Sequence, residues 1–103
     1  MLILFAFLLF PSIPVSSQVL RGRITDSNGS PMPSASVYIA ELRQGTTSNN
    51  EGWYEISLPP GNYTVNYQFL GYVPVTRDLK ITGEGITTDI KLTEQLFEIP
   101  PEN

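Results

Sequence analysis

The chain has 103 residues, ten acidic against six basic, a net charge of −4, and neither cysteine nor histidine. That length holds one small domain. The missing residue types exclude a disulfide framework, a zinc ribbon, a thiol nucleophile and an imidazole base, so neither a Ser-His-Asp nor a Cys-His site can be built from this chain alone. The dispersed acidic balance disfavours nucleic acid, whose phosphates require clustered Lys and Arg.

Leu2 to Phe10 is an unbroken apolar run, LILFAFLLF. It falls well short of the roughly 20 residues of a membrane-spanning helix. It has the length of a secretory h-region, about 7–15 residues. Pro11 and Pro14 break it, and Val15, Ser16 and Ser17 supply small side chains for a signal peptidase. The reading is a signal peptide over 1–17, cut between Ser17 and Gln18, although no basic residue precedes Arg21. With no cysteine after the run, a lipoprotein anchor on this chain is ruled out.

From Gln18 the hydrophobic period is two residues, the period of strands. Leu20, Gly22 and Ile24 share one face, with Arg21, Arg23 and Thr25 on the other. Asp26-Ser27-Asn28-Gly29 reads as a turn, and Pro31 and Pro33 keep the next stretch extended. Ala35, Val37 and Ile39 point inward with Ser36 and Tyr38 outward, and a short strand sits around Thr46 and Thr47. Tyr54, Ile56 and Leu58 alternate with Trp53, Glu55 and Ser57.

Pro59-Pro60-Gly61-Asn62 is a strong turn signal. After it Tyr63, Val65, Tyr67 and Phe69 face inward. Gly71-Tyr72-Val73-Pro74 bends the chain. Val75, Leu79 and Ile81 follow as an inward set in which Arg77 is an awkward member, and a last strand over Ile86 to Leu92 buries Ile86, Ile90 and Leu92. No stretch after the signal segment carries a helical stripe. The fold class is therefore all-β: a small antiparallel Greek-key β-sandwich of about seven strands, occupying 18–92, with 93–103 as a tail or linker.

The motifs in Val19 to Tyr72 sharpen this. Gly22, Thr25, Asp26, Asn28, Gly29 and Pro31 come first; then Ala35, Val37, Gly45, Thr46, Asn50, Gly52 and Tyr54; then Pro60, Gly61, Tyr63 and the Gly71-Tyr72 pair. In this order and spacing they resemble the carboxypeptidase regulatory-like domain, a transthyretin-like (prealbumin-like) β-sandwich. The resemblance implies a non-catalytic accessory domain, since the zinc of true carboxypeptidases lies in a separate domain. It also implies export, because this domain often precedes the plug or barrel of TonB-dependent receptors and related outer-membrane proteins. The expected place is the periplasmic side of the outer membrane or the cell surface, and the expected partner is a downstream plug or barrel, absent or truncated here.

The same residues have physical roles independent of any family. Gly29 and Gly61 stand where turns favour a residue without Cβ, and Gly52 serves a reversal before a strand. Tyr63 can bury its ring and still offer its hydroxyl to the backbone, as tyrosines at sandwich corners do. Trp53 is the one outward indole, and with Tyr38 and Tyr72 it forms the candidate contact set for a sugar or protein.

Asp26, Asn28, Asn49, Asn50 and Glu51 carry calcium-type oxygens, but turn chemistry accounts for each and their spacing fits no EF-hand. The sequons Asn28-Gly29-Ser30 and Asn62-Tyr63-Thr64 also lie in turns. No catalytic residue, cofactor or metal is assigned. Besides the receptor-associated reading, a free-standing extracytoplasmic module for glycan or protein, and an enzyme subunit whose active site lies elsewhere, remain open.

Overall fold

A computed structural model of the protein describes residues 17–96. Residues 1–16, which hold all but the last residue of the expected signal peptide, and most of the expected tail, from residue 97, lie outside the described residues. The strands are β1 (Gln18–Thr25), β2 (Ser36–Ile39), β3 (Gln44–Thr47), β4 (Trp53–Leu58), β5 (Gly61–Gln68), β6 (Val75–Ile81), β7 (Ile86–Thr87) and β8 (Ile90–Lys91). They form two sheets, one in the order β4-β1-β7 with β8 also on β1, the other in the order β3-β2-β5-β6. The short strand around Thr46 and Thr47 is present as β3, a hairpin partner of β2.

The two-residue alternation produces the sandwich. Leu20 and Ile24 of β1, Tyr54 and Leu58 of β4, and Ile90 and Leu92 near the chain end pack in one core with Val37, Ile39, Tyr63, Val65, Tyr67 and Ile81 of the other sheet. Each fully buried aliphatic or aromatic side chain contributes about 1.5–3 kcal/mol. Arg77 is resolved simply: β6 is an edge strand, so Arg77 is exposed, Val75 and Leu79 are half-buried, and only Ile81 of the inward set is fully enclosed. Met32, between the two prolines, also joins the core.

The expected antiparallel sandwich is present, and two short strands add to it, since β7 and β8 both run parallel to β1. The strand expected over Ile86 to Leu92 is interrupted in its middle. Leu20 pairs with Ile86, Arg21 with Thr87, Ile24 with Ile90 and Thr25 with Lys91, so the register does not slip across the break.

What changes at the break is the set of acceptors. The Thr88 carbonyl turns inward and accepts from the Tyr54 hydroxyl at 2.5 Å. The Arg23 amide, left without that carbonyl, donates to the Asp89 carboxylate at 3.0 Å. Gly22 permits the turn, since a Cβ there would overlap the Thr88 carbonyl oxygen. The Tyr54 and Tyr67 hydroxyls are 2.8 Å apart and their rings meet edge to face. Because Tyr54 gives its proton to Thr88, Tyr67 must be the donor of the pair.

Two loops at one end of the sandwich are built alike. In the first, the Asp26 carboxylate accepts from the Asn28 and Ser30 amides, the Asp26 carbonyl accepts from Gly29, and the Asp26 amide donates to Ser30. In the second, Asn49 repeats every bond, with its side-chain oxygen accepting from Glu51 and Trp53, its carbonyl from Gly52, and its amide donating to the Trp53 carbonyl. The fourth residue of each loop is a glycine with positive φ, +81° at Gly29 and +83° at Gly52. Gly52 also sits where a Cβ would crowd the Ile24 carbonyl. At the turn between β4 and β5, Tyr63 buries its ring and donates its hydroxyl to the Pro59 carbonyl at 2.6 Å.

Candidate functional site

The outer face of the β4-β1-β7 sheet carries the site. Antiparallel pairing sets Trp53 of β4 opposite Arg23 of β1, and Glu55 opposite Arg21. Parallel pairing sets Thr87 of β7 on the other side of Arg21. Arg21 and Glu55 face each other at 3.7 Å, both well exposed. In water such a pair is worth little, about 0–1 kcal/mol. Its effect here is to cancel these two charges against each other, while Arg23 on the same face keeps a positive charge beside Trp53.

Trp53 is held firmly for an exposed residue. Asn49 binds both of its main-chain polar groups, accepting from its amide at 3.0 Å and donating to its carbonyl at 2.8 Å. The Arg23 guanidinium lies over the indole, 5.8 Å from the ring centroid, and is itself fixed by donating from Nε to the Glu51 carbonyl. Trp53 as a residue remains 42% exposed. Beside it lies an open depression of about 460 Å³ lined by Arg21, Asn49, Trp53, Tyr54, Glu55 and Thr87.

The three aromatics read from sequence do not meet. Tyr38 is exposed on the outer face of the opposite sheet, paired with Gly45 and Asn66. Tyr72 packs edge to face on Phe69 in the loop after β5 and faces Glu94 across a short bridge. Neither lines the Trp53 depression. Alternation alone put Arg21, Arg23 and Glu55 outward. It could not put Thr87 beside them, which requires the parallel register, nor show that Asn49 brackets the tryptophan.

The oxygens of the loops are already engaged. Asp26 and Asn49 spend theirs on their own turns. Among the described residues no group of three or more His, Cys, Asp or Glu is placed to hold a metal ion. On the far side of the molecule Glu41 closes the β2–β5 ladder with its side chain, its carboxylate accepting from the Thr64 amide at 2.6 and 2.9 Å. That backbone donor holds the Glu41 carboxyl below its ordinary value of 4.5.

The profile of the carboxypeptidase regulatory-like domain matches residues 19–93. The chain belongs to the carboxypeptidase regulatory-like domain family. Within this family the regulatory-like domain described here is 31% identical over 97 residues to TonB-dependent receptor P3 of Formosa agariphila, covering 91% of this chain and 9% of the receptor. It is 32% identical over 69 residues to carboxypeptidase D of Homo sapiens, covering 66% of this chain and 5% of the enzyme. A viral relative, structural protein 27 of the isolate Australia/Victoria, is 32% identical over 78 residues, which cover 76% of this chain and 15% of the viral protein.

The regulatory-like domain thus spans a small fraction of the length of each of these relatives. Among solved structures, the Bacillus anthracis TIE protein superposes with a TM-score of 0.61 at 23% identity, over 77% of this chain and 17% of that one. At that identity the likeness concerns the fold alone.

Proposed function

We propose that the protein is an exported, non-catalytic accessory domain that works at the outer membrane as an extension of a TonB-dependent receptor-like protein. The observation that carries this reading is the match to the Formosa agariphila receptor, which takes in 91% of this chain yet only 9% of the receptor. A module of that proportion serves a larger machine.

Two further observations support it. The apolar run Leu2 to Phe10 with small residues at Ser16 and Ser17 has the form of an export signal. Titratable groups suited to proton transfer or metal binding are scarce, with histidine and cysteine missing from the chain and the described carboxylates dispersed or tied into turns. No helix among the described residues is long and apolar enough to cross a membrane.

The test is expression of the full chain with a C-terminal epitope in a Gram-negative host, followed by fractionation and N-terminal sequencing. The reading expects the epitope in the periplasmic or outer-membrane fraction, on a product that begins at Gln18. An unprocessed chain in the cytosol would overturn it.

A further inference from the structure

We propose that the outer face of the β4-β1-β7 sheet at Trp53 is a binding site for a neutral oligosaccharide of flat, equatorially substituted pyranose rings. The proposal stands apart from the outer-membrane reading, and either can fail alone.

Trp53 is held in place before any ligand arrives. An exposed tryptophan normally loses side-chain freedom when a ligand arrives. Here Asn49 has fixed the Trp53 backbone from both sides, and Arg23, anchored on the Glu51 carbonyl, lies over the ring. Arg23 does not line the neighbouring depression. The indole lines that depression with the guanidinium beside it. A rigid aromatic with two side-chain torsions is an inexpensive contact surface.

The side chains around the depression suit a sugar ring. A pyranose with equatorial hydroxyls has an apolar face of C–H groups and a polar rim. The apolar face suits an indole. The rim suits planar side chains able to donate to, or accept from, neighbouring hydroxyls, here the Arg21 guanidinium, the Glu55 carboxylate and the Asn49 amide, with the Thr87 hydroxyl alongside.

The lining of the depression carries one positive and one negative side chain. Within the depression, whose lining does not include Arg23, Arg21 and Glu55 sit 3.7 Å apart and cancel each other, so a charged ligand there would gain from one and lose to the other. A neutral polyhydroxylated ligand matches that balance. The depression, about 460 Å³, lies within the roughly 300–1,000 Å³ common to small-ligand sites.

Trp53 is the only tryptophan in the chain, so intrinsic fluorescence reports on this site directly. The experiment titrates the purified full chain with cellohexaose and xylohexaose, and with an oligogalacturonate as the anionic probe. Calorimetry runs in parallel on the wild type, Trp53→Ala and Tyr38→Ala. The expected result is a saturable change in Trp53 emission with a neutral oligosaccharide. Affinity should fall at least about tenfold in Trp53→Ala and stay unchanged in Tyr38→Ala, which lies on the opposite face.

Three results would overturn the proposal: no response to either neutral oligosaccharide, a response confined to the anionic probe, or calorimetric binding that survives Trp53→Ala. Far-UV circular dichroism of Trp53→Ala matching the wild type separates loss of the site from loss of the fold.

Discussion

The Tyr54 hydroxyl donates to the Thr88 carbonyl across the interior at 2.5 Å, and that bond breaks the last strand of the domain in two. It turns the carbonyl away from β1 and draws Asp89 in as a substitute acceptor for Arg23. One buried tyrosine thus decides how the end of the chain joins the sheet.

The two tyrosines should differ in their contributions. Tyr54→Phe deprives both the Thr88 carbonyl and the Tyr67 hydroxyl of a buried partner, and an orphaned buried polar group costs about 1–3 kcal/mol. Tyr67→Phe leaves the bond to Thr88 intact and should cost only the net value of one hydrogen bond, about 1 kcal/mol. Urea unfolding of both single variants and the double variant gives the order directly. Tyr67→Phe as the more damaging change would contradict the donor assignment.

Gly22→Ala should destabilise by about 1–3 kcal/mol, as overpacking of a closed interior does, because the added methyl meets the Thr88 backbone rather than a movable side chain. The same substitution at Gly83, where no atom stands within 4 Å of the place a Cβ would occupy, serves as the control. Equal thermal midpoints for the two alanine variants would refute the close approach.

Alkaline titration should separate the buried tyrosines from the rest. Burial, reinforced by the bond to Tyr67, pushes the Tyr54 hydroxyl far above its ordinary value of 10.0. Burial also raises Tyr67, against the opposing effects of Tyr54 and Arg77. A raised folded-state value means that stability is fully present below the unfolded value and is lost as pH rises beyond it. The phenolate absorbance of these two residues should appear only together with unfolding. Their titration within an intact fold, followed by circular dichroism, would contradict the buried pair.

Glu41 acts at the acid end with the opposite sign. Its folded-state value is lowered by the Thr64 amide. Its contribution is therefore present above the ordinary carboxylate value and is lost as pH falls through the lowered one. Glu41→Gln should lower the neutral plateau slightly and converge with the wild type in acid, so that the acid limb is flatter. An acid limb identical to that of the wild type would show that the carboxylate clasp contributes nothing.

Much of this architecture was legible in the residues themselves. Leu20-Gly22-Ile24 and Tyr63-Val65-Tyr67 alternate cleanly, so their buried faces follow from the pleat. Asp26 and Gly29 announce their loop, because only a short acceptor and a residue tolerant of positive φ complete it. The loop at Asn49 carries the same signal two strands later, in the common spacing of Asp or Asn with a glycine three residues on.

The parallel pairing of β7 and β8 was not legible. It rests on pairings of β1 with residues 66 positions further on, Leu20 with Ile86 and Ile24 with Ile90, while the Tyr54–Thr88 bond accounts for the break between the two short strands. The site was half legible for the same reason. Alternation turned Trp53 and Glu55 outward, but register alone set Arg21 between Glu55 and Thr87, and register alone parted Trp53 from Tyr38.

The central claim, an accessory domain that serves a receptor, is tested most directly by exchange. Residues 18–96 would replace the matching segment of the Formosa agariphila receptor, and outer-membrane assembly would be compared with the parent receptor and with a receptor lacking that segment. The account predicts that the chimera assembles and takes up substrate as the parent does. A chimera that fails to reach the outer membrane while the deleted receptor reaches it would contradict the account.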